Sequence, residues 1–136
     1  MRFNTKIAVP LREDLAVWQR LNVTAFLVSG IAGTRPETIG QPYADADGTP
    51  YLPMFRQPVL VFVADAAALR RAYGRAMQRG VELAIYTHDL FATGHDEANR
   101  AVVAGVQEAD LDLVGIAMRA ERKLVDKVVD RLRPHP

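Results

Sequence analysis

The chain has 136 residues, of which 49% are hydrophobic and 24% charged, with a net charge of +1. That balance excludes a long disordered chain and argues against an extended basic surface for nucleic acid. With no cysteine, disulfides, thiolate metal ligands and a cysteine nucleophile are excluded as well.

The length suits one domain, 1–136. The apolar part of the opening segment is too short for a signal-peptide core. The most apolar run, Val23 to Ala32, is broken by Thr24, Ser29 and Gly30 and falls short of the roughly 20 residues that span a bilayer. The expectation is a cytoplasmic domain without a membrane partner.

In chain order, segment 5–11 reads as a short apolar strand ending near Pro10. A helix follows, capped by Asp14, with Leu15, Trp18, Leu21, Ala25, Val28 and Ile31 at three- and four-residue steps. Its second half is apolar on most faces, which predicts packing on two sides. Gly30 and Gly33 mark where it should fray. Residues 34–57 form the longest irregular stretch, and Asp47-Gly48 between Tyr43 and Tyr51 suggests a small hairpin. Segment 58–64 is a β-branched run expected of a strand covered on both faces. Asp65 caps a helix striped by Leu69, Tyr73, Ala76 and Met77, which Gly80 ends. Segment 81–87 is a third strand, so that strand, helix and strand predict a parallel βαβ unit. A loop from His88 to His95 leads to a helix over 96–107. Segment 112–118 is a fourth strand, and the last helix covers 120–132 before Pro134. The predicted architecture is a three-layer α/β/α sandwich around a mixed four-stranded sheet.

This order resembles the peptidyl-tRNA hydrolase II superfamily over nearly the whole chain. The opening strand with Arg12-Glu13-Asp14-Leu15 and the closing Lys123-Leu-Val-Asp-Lys127-Val128 carry the likeness. A bacterial branch of that fold, domain of unknown function 2000, is more similar still. The residues that suggest it are Tyr43-Ala-Asp-Ala-Asp-Gly48, Tyr51-Leu-Pro-Met54, Gln57-Pro58 and Phe91-Ala-Thr-Gly-His-Asp96 with Asn99. The resemblance implies one strand antiparallel to the rest, and a homodimer. The hydrolases carry a lysine, a glutamine and a histidine at and along the first helix. Aligned without gaps from Asp14-Leu15, those places hold Leu21, Ala25 and Ser29. Their aspartate after the third strand corresponds to Asp89 or falls at Thr87, and the 96–107 helix reads as an insertion. The resemblance therefore implies the scaffold without the cleavage chemistry.

Two His-Asp pairs, His88-Asp89 and His95-Asp96, flank one loop. They could ligate zinc or manganese or supply a base poised by a carboxylate. The plainer reading has Asp96 capping a helix, His95 bonded to backbone and His88 exposed. Ligands in open α/β sheets sit beyond the carboxyl ends of parallel strands, which should gather Arg12, Glu13 and Asp14 near Thr87 to Asp89. Asn22 on an apolar helix either faces a pocket lined by Tyr43, Tyr51 or Asn99, or ties down the 34–57 loop. Trp18 reads as a core or dimer contact. No glycine-rich phosphate loop or cofactor motif is present, and no metal or cofactor is expected. Arg70, Arg71, Arg75 and Arg79 form a basic, solvated helix face.

The favoured reading is a non-hydrolase binding a small molecule through Asn22, Tyr43, Tyr51, Thr93 and Asn99. The alternative is a divergent hydrolase of peptidyl-tRNA or another ester, using His88, Asp89, His95 or Asp96. A third is an interaction subunit with an apolar first helix.

Overall fold

The computed structural model describes residues 3–136. Strand β1 (Thr5–Arg12) is the centre of the sheet. Its Ile7, Val9 and Leu11 face one layer and Ala8 the other, as the two-residue period of a strand requires. Parallel to it runs β4 (Val59–Ala64), with Ile7 opposite Val59 and Arg12 opposite Ala64. On its other side β6 (Leu113–Glu121) runs antiparallel. Beyond β6 lies β5 (Ala84–Thr87), an antiparallel edge strand.

The sheet has five strands, not the four expected. The fifth, β7 (Arg133–Pro134), pairs antiparallel with β4 at the other edge. It exists because helix α4 (Arg122–Val128) stops well before residue 132. Arg75 Nε and Nη2 donate to the Val128 carbonyl at 3.0 and 2.7 Å, and Nη2 reaches Asp130 O at 3.3 Å. Arg131 then takes φ +67°, which turns the chain back beside β4, and His135 N donates to Val61 O at 2.9 Å. An edge tolerates Pro134 because one side of the strand needs no donor. Arg75 and Arg70 are therefore not simply solvated. Arg70 lies over the Tyr73 ring at 4.8 Å and donates to Glu108 O at 2.8 Å.

Helix α2 (Ala66–Gln78) joins β4 to β5, which run in the same direction as the βαβ reading expects, with β1 and β6 lying between them. The adjacent parallel pair is β1 and β4, joined through helix α1 (Val17–Thr34).

Helix α1 covers one face of the sheet, while α2 and α4 cover the other. The α1 core stripe is Val23, Leu27 and Ile31, with Leu15 packed just ahead of the helix. Trp18 and Leu21 face outward, contrary to the predicted stripe. The polar residues of α1 are spread around the helix and give it no single polar side to fix its rotation, and here Gly115 fixes it. A Cβ on Gly115 would stand 2.9 Å from Val23 Cγ1 and 3.0 Å from Leu27 Cδ1. The N-cap is Ala16 rather than Asp14, with Gln19 Oε1 accepting from its amide at 2.9 Å. The helix also runs through Gly30 and Gly33 to Thr34, whose hydroxyl donates to Gly30 O.

The 34–57 stretch holds a single helical turn (Pro36–Thr38) and a small hairpin, β2 (Tyr43–Ala44) with β3 (Pro50–Tyr51). Every residue from 41 to 52 is exposed, so this hairpin is an arm. Asp45 organises it. Its carboxylate accepts from the amides of Thr49 and Asp47 and from the Tyr51 hydroxyl. Those bonds, the Thr49 amide first and the Tyr51 hydroxyl next, hold the Asp45 pKa below its ordinary value.

Candidate functional site

The site grows from the C-terminal end of β5. After Thr87 the chain makes one tight turn (His88–Ala92) and enters helix α3 (Asp96–Ala104). Thr93 closes the connection: its hydroxyl donates to Leu90 O at 2.8 Å and pairs with the Asn99 side chain. His95 is the N-cap of α3, its Nδ1 accepting from the Ala98 amide at 3.2 Å. An imidazole that accepts at Nδ1 carries its proton on Nε2, so it is neutral in this role. Asp96, the expected cap, instead pairs with Arg100 one turn along.

Facing this segment is a second stripe of α1. Trp18, Asn22, Phe26 and Ser29 recur at steps of four and three and share a side of the helix. Between the two stands Tyr86 of β5. Its ring lies 5.2 Å from Phe91 and 5.9 Å from Phe26, and Trp18 meets Phe91 edge-on at 5.8 Å. Asn22 Nδ2 donates to the Tyr86 hydroxyl at 3.5 Å. Burial raises the Tyr86 pKa above its ordinary value, while the Asn22 donor pulls the other way.

Together these residues line a cleft of about 480 Å³. Of the sequence-derived candidates, Asn22, Thr93, His95, Asp96 and Asn99 converge there. His88 packs edge-on against Phe91 at 5.5 Å without joining the lining, and Asp89 is exposed. Tyr43 and Tyr51 sit opposite one another on the arm, where Tyr51 is engaged by Asp45. Asn22 thus serves neither Tyr43 nor the 34–57 loop. Trp18 is 60% exposed and forms a wall of the cleft rather than core. Among the described residues, no group of three or more His, Asp or Glu side chains is placed to hold a metal ion.

Arg12, Glu13 and Asp14 find partners other than the Thr87–Asp89 segment expected for them. Arg12 bonds Asp14 and Asp112, each at 2.7 Å, and His88 N donates to Asp112 O. Burial works against the Arg12 charge, and the two carboxylates outweigh it, so its pKa is raised. Glu13 reaches Arg133 at 3.7 Å.

Phe26, Tyr86, Leu90 and Phe91 were not singled out from sequence as one wall. The four-residue spacing of Trp18, Asn22 and Phe26 was the available signal for the α1 half.

The family model described as a protein of unknown function, DUF2000, matches residues 5–136. The chain belongs to this family. The DUF2000 chain is similar to the solved structure of a protein of unknown function, Atu0240, from Agrobacterium tumefaciens strain C58. The two share 47% identity over 99% of this chain and 100% of that chain, with a TM-score of 0.96. A search of curated proteins finds no match. No helix among the described residues is long and apolar enough to cross a membrane.

Proposed function

We propose that this DUF2000 domain binds a small molecule in the cleft between α1 and the 88–99 segment, without hydrolysing it. The observation that carries the reading is the convergence of neutral hydrogen-bonding groups, Asn22, Thr93, His95 and Asn99, on an aromatic wall. Such a mixture of apolar surface and a few placed polar groups is how ligand pockets gain both affinity and orientation. The volume lies in the ordinary range for such pockets.

A hydrolase working through this loop needs a histidine paired with a carboxylate or aimed at a nucleophile. Here His95 spends its Nδ1 on the helix cap and Asp96 is taken by Arg100. Leu21, Ala25 and Ser29, where the hydrolase likeness calls for ionisable or amide groups, lie exposed on α1. Their chemistry favours a hydrolase II-like scaffold put to another use.

A thermal-shift screen across uncharged and charged metabolite classes tests the binding reading. At least one class should raise the Tm of the wild type and fail to raise that of Asn22→Ala and Asn99→Ala. A flat response in every class overturns it. Release of peptide from a peptidyl-tRNA analogue, abolished by His88→Ala or His95→Ala, overturns the non-hydrolytic part.

A homodimer is the second element of the proposal. Val17 and Leu21 on α1, and Leu52 and Met54 near the arm, are more than half exposed. Bare apolar side chains of this size, where they gather on one surface, mark contact surfaces. Sedimentation equilibrium should give twice the chain mass, and a monomer at all concentrations rejects it.

A further inference from the structure

Beside the polar cleft lies a second concavity of about 540 Å³. It is a trough walled by Phe26 and Leu27 of α1, Ile85 of β5, Leu90, and Val103 and Ala104 of α3. Its polar side chains are few: Asn99 and Tyr86, shared with the cleft, and Arg100, which pairs with Asp96. The two concavities have Phe26, Tyr86, Leu90 and Asn99 in common, so they adjoin. One end offers Asn22, Thr93, His95 and Asn99, all uncharged. The other offers almost only carbon.

We propose that the two are halves of one site for an amphiphile, with an uncharged, hydrogen-bonding planar head in the cleft and an aliphatic tail in the trough. The inference rests on the binding reading of the cleft and adds the ligand class. The head is uncharged because a charged one would lose its hydration without a free counter-charge, the lining's Asp96 and Arg100 being spent on each other. It is flat because Tyr86, Phe91 and Trp18 line the cleft as rings tilted to one another, among which a planar head packs against one ring's face and another's edge. The tail is apolar because the trough has almost nothing for a polar chain to bond. The trough wall contributed by α3 contains no fully buried residue, so its side chains are free to close on a tail without breaking a core.

Trp18, the only tryptophan, stands on the cleft wall and makes a direct reporter. The probes are benzamide, 4-butylbenzamide and 4-hexylbenzamide, titrated by Trp18 fluorescence. Binding should tighten along the series by roughly tenfold or more from benzamide to the hexyl probe, as buried methylenes dictate. In Val103→Asp the ratio between the two should collapse towards one, and in Val103→Leu it should persist. Because a ratio within one variant is read, any effect on the head cancels. Equal affinity along the series in the wild type overturns the two-part site while leaving cleft binding intact. An undiminished ratio in Val103→Asp also overturns it, since the tail then lies elsewhere. Silence of Trp18 to all three probes removes the proposed head, and the cleft reading then stands or falls on its own thermal-shift screen. A tail-dependent gain that tracks protein concentration in sedimentation assigns the trough to a second copy and rejects the amphiphile.

Discussion

Gly115 in β6 lies directly beneath Val23 of α1, so close that a Cβ built there would be 2.9 Å from Val23 Cγ1. This contact seats the helix that carries Trp18, Asn22 and Phe26, and it therefore sets one wall of the cleft. Gly115→Ala should cost about 1–3 kcal/mol, the usual penalty of overpacking a filled core. Chemical denaturation measures it. Val23→Ala in the same chain should return part of that loss by opening room for the added methyl. A neutral Gly115→Ala would mean that α1 shifts freely.

His95 and Ala98 set the second wall. Replacing His95 with alanine removes the acceptor for the Ala98 amide, a loss worth about 1 kcal/mol for a helix cap. Because α3 buries no residue fully, the loss should be local. Amide exchange in the first turn of α3 should quicken roughly fivefold while the Tm moves little. His95→Asp, which keeps an acceptor, should retain the protection. A large fall in Tm for His95→Ala would show that α3 is integral to the core.

Asn22 pulls the Tyr86 pKa down against the upward push of burial. Asn22→Leu should therefore move the Tyr86 titration higher, read by NMR of ring-labelled tyrosine. The sign for stability follows. A phenol whose folded pKa lies above its unfolded one contributes stability in full below the unfolded value. That contribution is lost as pH rises towards the folded value. An unchanged or lower Tyr86 titration in Asn22→Leu would break the proposed link between the two side chains.

Asp45 acts in the opposite pH range. Its folded pKa is lowered by the Thr49 amide first, then the Tyr51 hydroxyl. The order it gives the arm is present above the unfolded carboxylate value and fades as pH falls through the folded one. The Thr49 amide resonance should shift with a midpoint below 3.8, the ordinary value. Asp45→Ala should abolish that transition and broaden the arm's signals at neutral pH. A midpoint at or above the ordinary value would remove Asp45 as the organiser.

Arg75 governs the far edge of the sheet. Arg75→Met should free the carbonyls of Val128 and Asp130 and cost about 1.5–3 kcal/mol, the range for bonds from a charged donor. Exchange of the His135 amide, which bonds Val61 across the β7 edge, should accelerate more than exchange in β1. Equal protection in the variant would show that β7 holds without the clamp.

Much was legible in the sequence because it is written locally. The β-branched run at 59–64 and the Asp65 cap, whose carboxylate accepts from Ala68 N at 2.7 Å, placed β4 and α2 closely. Asp47-Gly48 placed the hairpin, with Gly48 at φ +83°. The polar candidates of the cleft were also visible, since Asn22 is a polar side chain on an apolar helix and Thr93, His95 and Asn99 stand together in one motif. What failed was rotation, adjacency and partnership. The polar residues of α1 are spread around the helix rather than gathered on one side, so its period does not say whether Trp18 or Val23 turns inward. Gly115, nearly a hundred residues away, decides it by leaving room for Val23 and Leu27. The β7 strand depends on a guanidinium from α2 meeting carbonyls at and just beyond the end of α4. The partition of Asn22, His95 and Asn99 from Tyr43 and Tyr51 likewise depends on where the arm leaves the body. Local chemistry determined which segments form strands and helices and which polar groups need partners. Only packing across the sheet decided which of them face one another, because a contact between distant residues has no period in the chain to betray it.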